Sequence, residues 1–229
     1  MIHPIQNADM LHQTTFDFLA ELAINNNREW FMANKPRYET ARKNVEELVD
    51  AIIKKLATID PAVAGLTGKK SVMRIYRDVR FSKDKSPYKK NFGIVLGTTE
   101  KGVNGPCYYL HVEPGQCFVA GGYWMPPADH VKAIRQEIDY NTEEFKSIIG
   151  GKGFKQYFKE LDVEEKLKTA PKGYPSDHPD IELLKLKSYT ASTQLNAKEL
   201  LDNKVVDKIV NIFSELFLLN QFLQNAISS

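Results

Sequence analysis

Between Arg74 and Lys90 the chain carries seven basic residues, Arg74, Arg77, Arg80, Lys83, Lys85, Lys89 and Lys90, against two acids, Asp78 and Asp84. Seven minus two makes this run +5 in a protein of net charge +2, so the remainder sums to −3. Cations this close repel one another, and a fold keeps them together only with carboxylates inside it or an anion outside. Two readings are open. In the first, Arg77, Arg80, Lys83, Lys85 and Lys89 form a site for phosphate or carboxylate oxygens, the guanidinium forks binding in pairs and the lysines supplying point charge. Tyr76 and Tyr88 then stack on a base or sugar, or donate hydrogen bonds. If a reaction occurs there, Asp78 or Asp84 serves as base and Arg77 or Arg80 stabilises charge; the residue types do not decide whether one does. In the second reading, Asp78 and Asp84 neutralise two cations, Arg77 pairs with a carboxylate inside the fold, and the lysines are solvated.

His111 is the second chemical candidate. Strand alternation places it on one face with Cys107, Tyr109, Phe118 and Trp124, while Tyr108, Leu110, Val112 and Val119 form the core face. An imidazole among aromatic rings suits acid–base work near neutrality. Aromatic faces are more often buried by a covering layer, and that is the favoured expectation here. Arg28, Trp30 and Tyr38 near the N-terminus, and Lys172, Tyr174 and His178 in the loop Pro171–Pro179, are weaker candidates. Capping, burial and plain turn chemistry account for most of these residues.

Other patterns fail. Gly65-x-x-Gly68-Lys69-Lys70-Ser71 has two residues between its glycines where a phosphate-binding loop has four, and it precedes a strand. Ser82-x-x-Lys85 and Ser86-x-x-Lys89 match the serine–lysine spacing of acyl transferases without the companion motifs. His3, His12, His111, His130 and His178 show no metal-ligand spacing, so neither metal nor cofactor is expected.

The elements that must position these residues are legible from periodicity. Thr14-Thr15 caps a helix carrying Phe16, Phe18, Leu19 and Leu22, which stops at Asn25-Asn26-Asn27. Asn26 with Glu29 makes a capping box for the next helix, interrupted at Pro36, and the pattern then runs through Val45, Leu48, Val49, Ile52, Ile53 and Leu56. Residues 60–70 read as a loop. Alternation predicts a strand over 72–81, with Met73, Ile75, Arg77, Val79 and Phe81 on one face. A polar loop over 82–90, a strand over 92–96 and a hairpin of 107–113 with 116–124 come after it. The turn at Pro114-Gly115 has type II chemistry. Helices are predicted from Pro127-Asp129 through Ile138, from Thr142 to Ile149, over 154–161 and from Pro179 to Leu186, then a fifth strand over 187–192 and one long amphipathic helix over 204–226. The fold class is α+β in a single domain over 1–229: helical over 14–58, an antiparallel sheet of about four to five strands within 71–124, and mainly helical over 127–227.

The run Arg77-Asp-Val-Arg-Phe-Ser-Lys-Asp-Lys-Ser-Pro-Tyr-Lys-Lys-Asn91 resembles the hallmark of a family of conserved bacterial and fungal proteins, number two-four-six-one in the series of domains of unknown function. The resemblance extends to Phe16–Glu39, to Gly121–Pro127 and to Pro171–Pro179 with Glu182–Tyr189, and so covers most of the chain. It implies no established activity, and no catalytic role carries over. It marks Arg77, Asp78, Arg80, Phe81, Ser82, Asp84, Lys85, Pro87, Tyr88 and Lys89 without assigning them functions.

Composition sets outer limits. A 42% apolar and 26% charged chain of 229 residues can bury a substantial core, and a net charge of +2 does not by itself point to nucleic acid. Met1–Asp9 has neither the basic nor the apolar stretch of a secretory signal, and no apolar run approaches the roughly 20 residues of a membrane span. Cys107 and Cys117 fall on opposite faces of the hairpin and about five positions out of register, beyond disulfide reach. Free thiols and a cytoplasmic location are therefore expected. The expected partner is a phosphate-bearing small molecule bound at 74–90. The alternatives are a nucleic-acid-binding module on the same residues, or a structural or protein-interaction role with an internal ion-pair network.

Overall fold

Asn44, only 3% exposed, shows how the N-terminal helices are set. Its side-chain oxygen accepts from the His12 backbone N–H (2.8 Å) and from the Thr15 hydroxyl (2.9 Å), and its amide donates to the Met10 carbonyl (2.9 Å). The first helix, α1 (Gln13–Ile24), thus begins earlier than Thr14-Thr15 suggests, with His12 at the cap position. A residue distant in sequence satisfies the chain there, which no local pattern reveals. The computed structural model describes residues 9–97, 104–163 and 165–228.

Next in chain order are α2 (Arg28–Ala33), α3 (Lys35–Leu56), a single 3-10 turn (Pro61–Val63) and α4 (Gly68–Ser71). Strands β1 (Phe92–Gly97), β2 (Cys107–Val112) and β3 (Phe118–Tyr123) come after these. Helices α5 (Ala128–Tyr140), α6 (Thr142–Gly150), α7 (Lys152–Tyr157) and α8 (Ile181–Leu184) precede β4 (Tyr189–Gln194). Helices α9 (Ala197–Leu200), α10 (Val205–Ser214) and α11 (Phe217–Ser228) follow β4. The four strands make an antiparallel sheet in the order β1-β2-β3-β4, and the class is α+β. The strand expected over 187–192 is β4. Pro36 restarts the helix as α3, where it occupies the first turn and no carbonyl bond is lost. Gly115 has φ +82, and Gln116 N–H donates to the Glu113 carbonyl (3.0 Å), the geometry of the expected turn.

The described residues divide into two compact units. One takes the described part of Met1–Leu96 with Tyr109–Val119 and Gln194–Asn211; the other takes Gly97–Tyr108, Ala120–Thr193 and Ile212–Ser229. In the first, Phe18, Leu19 and Leu22 of α1 and Val45, Leu48, Val49 and Ile52 of α3 are buried at helical spacing. In the second, Ile134 and Ile138 of α5, Phe145 of α6 and Phe222 of α11 supply core side chains, with Phe145 and Phe222 5.0 Å apart. Arg135 donates to the carbonyls of Leu184 (2.6 Å) and Leu186 (3.1 Å), fixing the end of α8 to α5.

Four expectations are corrected. The strand over 72–81 does not form. The chain is extended there, but it pairs with the segment after it only at isolated bridges, Val72 with Ile94 and Tyr76 with Tyr88. Asp78 accepts from Arg80 N–H (3.2 Å) and Asp84 from Ser86 N–H (2.9 Å), and these two aspartate turns bend the chain out of any ladder. The loop over 60–70 contains the 3-10 turn and leads into α4. The helices over 154–161 and 179–186 are shorter, as α7 and α8. The long final helix is two, because Glu215 and Leu216 N–H groups bond back only three residues, to Ile212 and Phe213. The apolar stripe runs on through the break, so periodicity alone reads it as continuous.

Candidate functional site

The basic segment folds back on itself as an irregular antiparallel ribbon joined to β1. Met73 N–H donates to the Gly93 carbonyl (2.9 Å), Lys89 N–H to Ile75 (2.7 Å) and Arg77 N–H to Pro87 (3.0 Å), and residues 78–86 loop outward between the last pair. Aromatic rings anchor the ribbon from below. Tyr88 is 4% exposed and stacks on Phe31 of α2 at 4.0 Å and 16°, with Tyr76 5.5 Å from Tyr88 and 6.2 Å from Phe31. Burial, and then the neighbouring Tyr76, raises the Tyr88 phenol above its ordinary value. Trp30 and Tyr38, candidates for lining a pocket, each pack 6.0 Å from Phe18.

The Asn25–Asn27 junction works differently from the expected capping box. Asn27, not Asn26, caps α2, its side chain accepting from Trp30 N–H (2.9 Å). Asn26 instead reaches the ribbon. Its amide donates to the Tyr88 carbonyl (3.0 Å) and its oxygen accepts from the Tyr88 N–H (3.0 Å), as a neighbouring strand would.

Both carboxylates of the segment are taken up within it. Asp78 holds Arg80 in a two-bonded fork (3.0 and 2.6 Å), which lowers the Asp78 carboxyl below its usual range and raises the guanidinium. Asp84 receives the Ser86 hydroxyl (2.5 Å), the Ser86 N–H and the Arg77 guanidinium (2.6 Å), and these bonds bring it down to about 2. Arg77 also donates to the Ser86 carbonyl (2.9 Å) and approaches the Ser82 hydroxyl (3.4 Å). The expected internal carboxylate partner for Arg77 is therefore corrected: the partner is Asp84, an exposed residue of the same segment. Only half-burial of Arg77 is required, and a partner seven residues away supplies it.

Five cations remain. Lys85 donates to the Val79 carbonyl (3.0 Å), which fixes its position without neutralising it. Among the described residues, Arg74, Lys83, Lys89 and Lys90 have no side-chain hydrogen bond or ion pair. Partial burial and then the charge of Arg74 push the Lys89 ammonium below its ordinary value, so the expected repulsion acts within the segment. An open concavity of about 330 Å³ lies on the ribbon, lined by Arg74, Arg77, Asp78, Val79 and Arg80. Phe81 projects beside it, 95% exposed, and Tyr76 is 53% exposed. Alternation does not single out Phe81, which it assigns to the inner face.

His111 lies across β1 from the ribbon's end. Its Nδ1 faces the Tyr109 hydroxyl (3.0 Å) and the Asn91 amide (3.4 Å), and its Nε2 faces the Glu113 carboxylate (3.0 Å). The ring stacks on Phe118 at 4.7 Å and 13°. Donors at Nδ1 and an acceptor at Nε2 assign the proton to Nε2. The hydrogen bonds of the imidazole are satisfied, but the face it shares with Tyr109 and Phe118, expected to be covered, is partly exposed. Asn91, next to Lys90, is what joins this face to the basic segment.

In the second unit, His178 accepts Asp180 N–H at Nδ1 (3.1 Å) and meets Asp139 at Nε2 (2.9 Å), while Tyr174 packs edge-on at 6.0 Å. The loop Pro171–Pro179 is thereby tied to α5 through satisfied side chains. Cys107 and Cys117 are free thiols, and burial raises Cys107 to about 11. Among the described residues no group of three or more His, Cys, Asp or Glu is placed to hold a metal ion, and no helix is long and apolar enough to cross a membrane.

Comparison with known proteins returns one family, described as conserved hypothetical protein (DUF2461), whose model matches residues 14–222. No curated protein and no solved structure matches.

Proposed function

Because the chain belongs to this family of conserved hypothetical proteins, whose description carries no activity, we propose from the geometry that the ribbon 74–90 binds a phosphate-bearing anion. One observation carries the reading: with Asp78 and Asp84 taken up by Arg80 and Arg77, five cations are left without an ion-pair contact, although Arg74 still interacts with Asp78 through its charge. The internal pairs set the frame, and Arg74, Lys83, Lys85, Lys89 and Lys90 supply the charge. Arg77 and Arg80 fix the loop from which the lysines project, and Tyr76 offers a hydroxyl and a half-exposed ring at its edge. Tyr88 is a support. His111 flanks the site through Asn91. Two free thiols fit a reducing compartment, and we place the protein in the cytoplasm on that ground.

The test is thermal unfolding with inorganic tripolyphosphate at low and high salt. A ligand that binds only the native state adds about 2.7 kcal/mol of stability at a hundredfold excess over its dissociation constant. The wild-type melting temperature should rise, the rise should shrink in high salt, and Arg74→Ala with Lys83→Ala should remove most of it while leaving the unliganded melting temperature unchanged. An equal rise in that double variant would overturn the assignment.

A further inference from the structure

Resting on the anion-binding reading, we infer that the ribbon takes single-stranded nucleic acid, with Phe81 as the platform on which a base stacks. Phe81 is 95% exposed, and a fold that leaves a phenylalanine in water forgoes the stabilisation its burial would bring. The ring is not at the end of a slack loop. Arg80 on one side is forked onto Asp78, and Ser82 on the other receives Arg77. The Arg80 guanidinium stands 5.8 Å from the Phe81 ring centroid. Both chain neighbours of the ring thus take part in hydrogen bonds within the loop.

Along the segment the cations without an ion pair interleave in sequence with a second exposed aromatic side chain, Tyr76. Tyr76 rests against Phe31 and Tyr88 with half its surface in water, and Arg74, Lys83, Lys85, Lys89 and Lys90 surround the two rings in sequence. A cationic track with aromatic platforms is the arrangement that holds a single strand, phosphates on the cations and bases on the rings. A small phosphorylated molecule fits less well. Such ligands are enclosed over most of their surface, whereas the concavity here is open and lined by five residues. A duplex offers its base faces to no side chain, because they are stacked on each other.

The test is fluorescence anisotropy with end-labelled oligo-dT and oligo-U of about ten nucleotides, titrated across a range of salt. Wild-type protein should bind, and Phe81→Ala should weaken binding about 5- to 150-fold, the effect of removing one stacked base. The slope of log affinity against log salt should stay unchanged in Phe81→Ala and fall by about 0.7 in Lys83→Ala. Phe81→Trp should retain affinity. Tighter binding of either oligomer supports the inference and tells DNA from RNA as the source. Oligomer binding that is indifferent to Phe81→Ala overturns the stacking role. So does binding of a duplex as tight as that of its single strand, or binding of phosphatidylserine-containing vesicles without oligomer binding. Tripolyphosphate binding that depends on Lys83, with no oligomer binding, overturns the inference alone; absence of binding to any of these anions overturns the anion-binding reading as well.

Discussion

The Asn26 side chain makes both backbone hydrogen bonds of Tyr88, 62 positions away, each at 3.0 Å. Tyr88 is buried, so without Asn26 its N–H and C=O lose their partner in a place water reaches poorly. A buried polar group left unpaired costs about 1–3 kcal/mol. Asn26→Ala should therefore destabilise the protein by about 2–4 kcal/mol in denaturant unfolding, the two groups partly rehydrating. Asn27→Ala, which removes a cap, should cost about 1 kcal/mol. A capping box built on Asn26 would reverse that order, so the two variants measured side by side decide between them.

Asp84 makes the ribbon loop sensitive to acid. Its carboxyl falls from 3.8 to about 2 in the folded protein, chiefly through Ser86 and then Arg77. A depressed carboxyl stabilises the fold above its unfolded value and stops doing so as pH drops through the folded one. The contribution is complete above about pH 4 and disappears toward about pH 2. Following the Asp84 carboxyl carbon by NMR should give a midpoint near that low value, and Ser86→Ala should move it back toward 3.8. An unshifted midpoint in the wild type would remove the internal frame on which the exposed lysines are argued to stand.

Much of the helical part is legible because burial imposes its period on the sequence. Val45, Leu48, Val49, Ile52 and Leu56 announce α3, and Tyr108, Leu110 and Val112 announce the core face of β2. What escapes is what depends on distant partners. Asn44 sets the start of α1, and Asn26 reads locally as a cap yet serves Tyr88. Three successive asparagines where one cap is needed are the available signal. The alternation holds from Arg74 to Arg80, where Ile75 is buried, Arg77 and Val79 are half-buried and Arg74, Tyr76, Asp78 and Arg80 are exposed, but Met73 and Phe81 of the expected inner face are exposed too. It fails to predict a strand because alternation reports a half-buried extended chain, whereas a ladder needs an uninterrupted partner. The basic cluster is legible as a charge anomaly; which cations its own aspartates absorb depends on how the loop folds back on itself.

Two glycines with similar dihedrals should respond very differently to substitution. Gly122 has φ +107, and a Cβ there would stand 2.0 Å from the Tyr189 carbonyl oxygen and 2.9 Å from the Thr190 Cα. Its N–H also donates to Asn220 (2.9 Å). Gly115, at φ +82, would place a Cβ in open space. Gly115→Ala should cost only the left-handed penalty, about 1–2 kcal/mol. Gly122→Ala must in addition push backbone apart and should exceed about 4 kcal/mol, a value reserved for specific structural failures. Urea denaturation of the two variants tests this, and equal costs would mean that β4 yields easily at Tyr189.

His111 and His178 share a hydrogen-bonding logic although they lie in different units. At each, Nδ1 faces a donor and Nε2 faces a carboxylate, Glu113 for His111 and Asp139 for His178. For His178 the donor is a backbone N–H, which cannot turn round, so the tautomer is fixed by the chain itself. For His111 one donor is the Tyr109 hydroxyl, which can rotate and accept instead. Long-range proton–nitrogen correlation should show both rings carrying hydrogen on Nε2 when neutral. Glu113→Gln should loosen that preference at His111, because an amide can present its NH₂ to Nε2 while the Tyr109 hydroxyl turns to accept from Nδ1. Asp139→Asn should leave His178 in its original tautomer, since the Asp180 N–H still demands an acceptor at Nδ1. A His178 tautomer that switches in Asp139→Asn would show that the backbone bond does not control it.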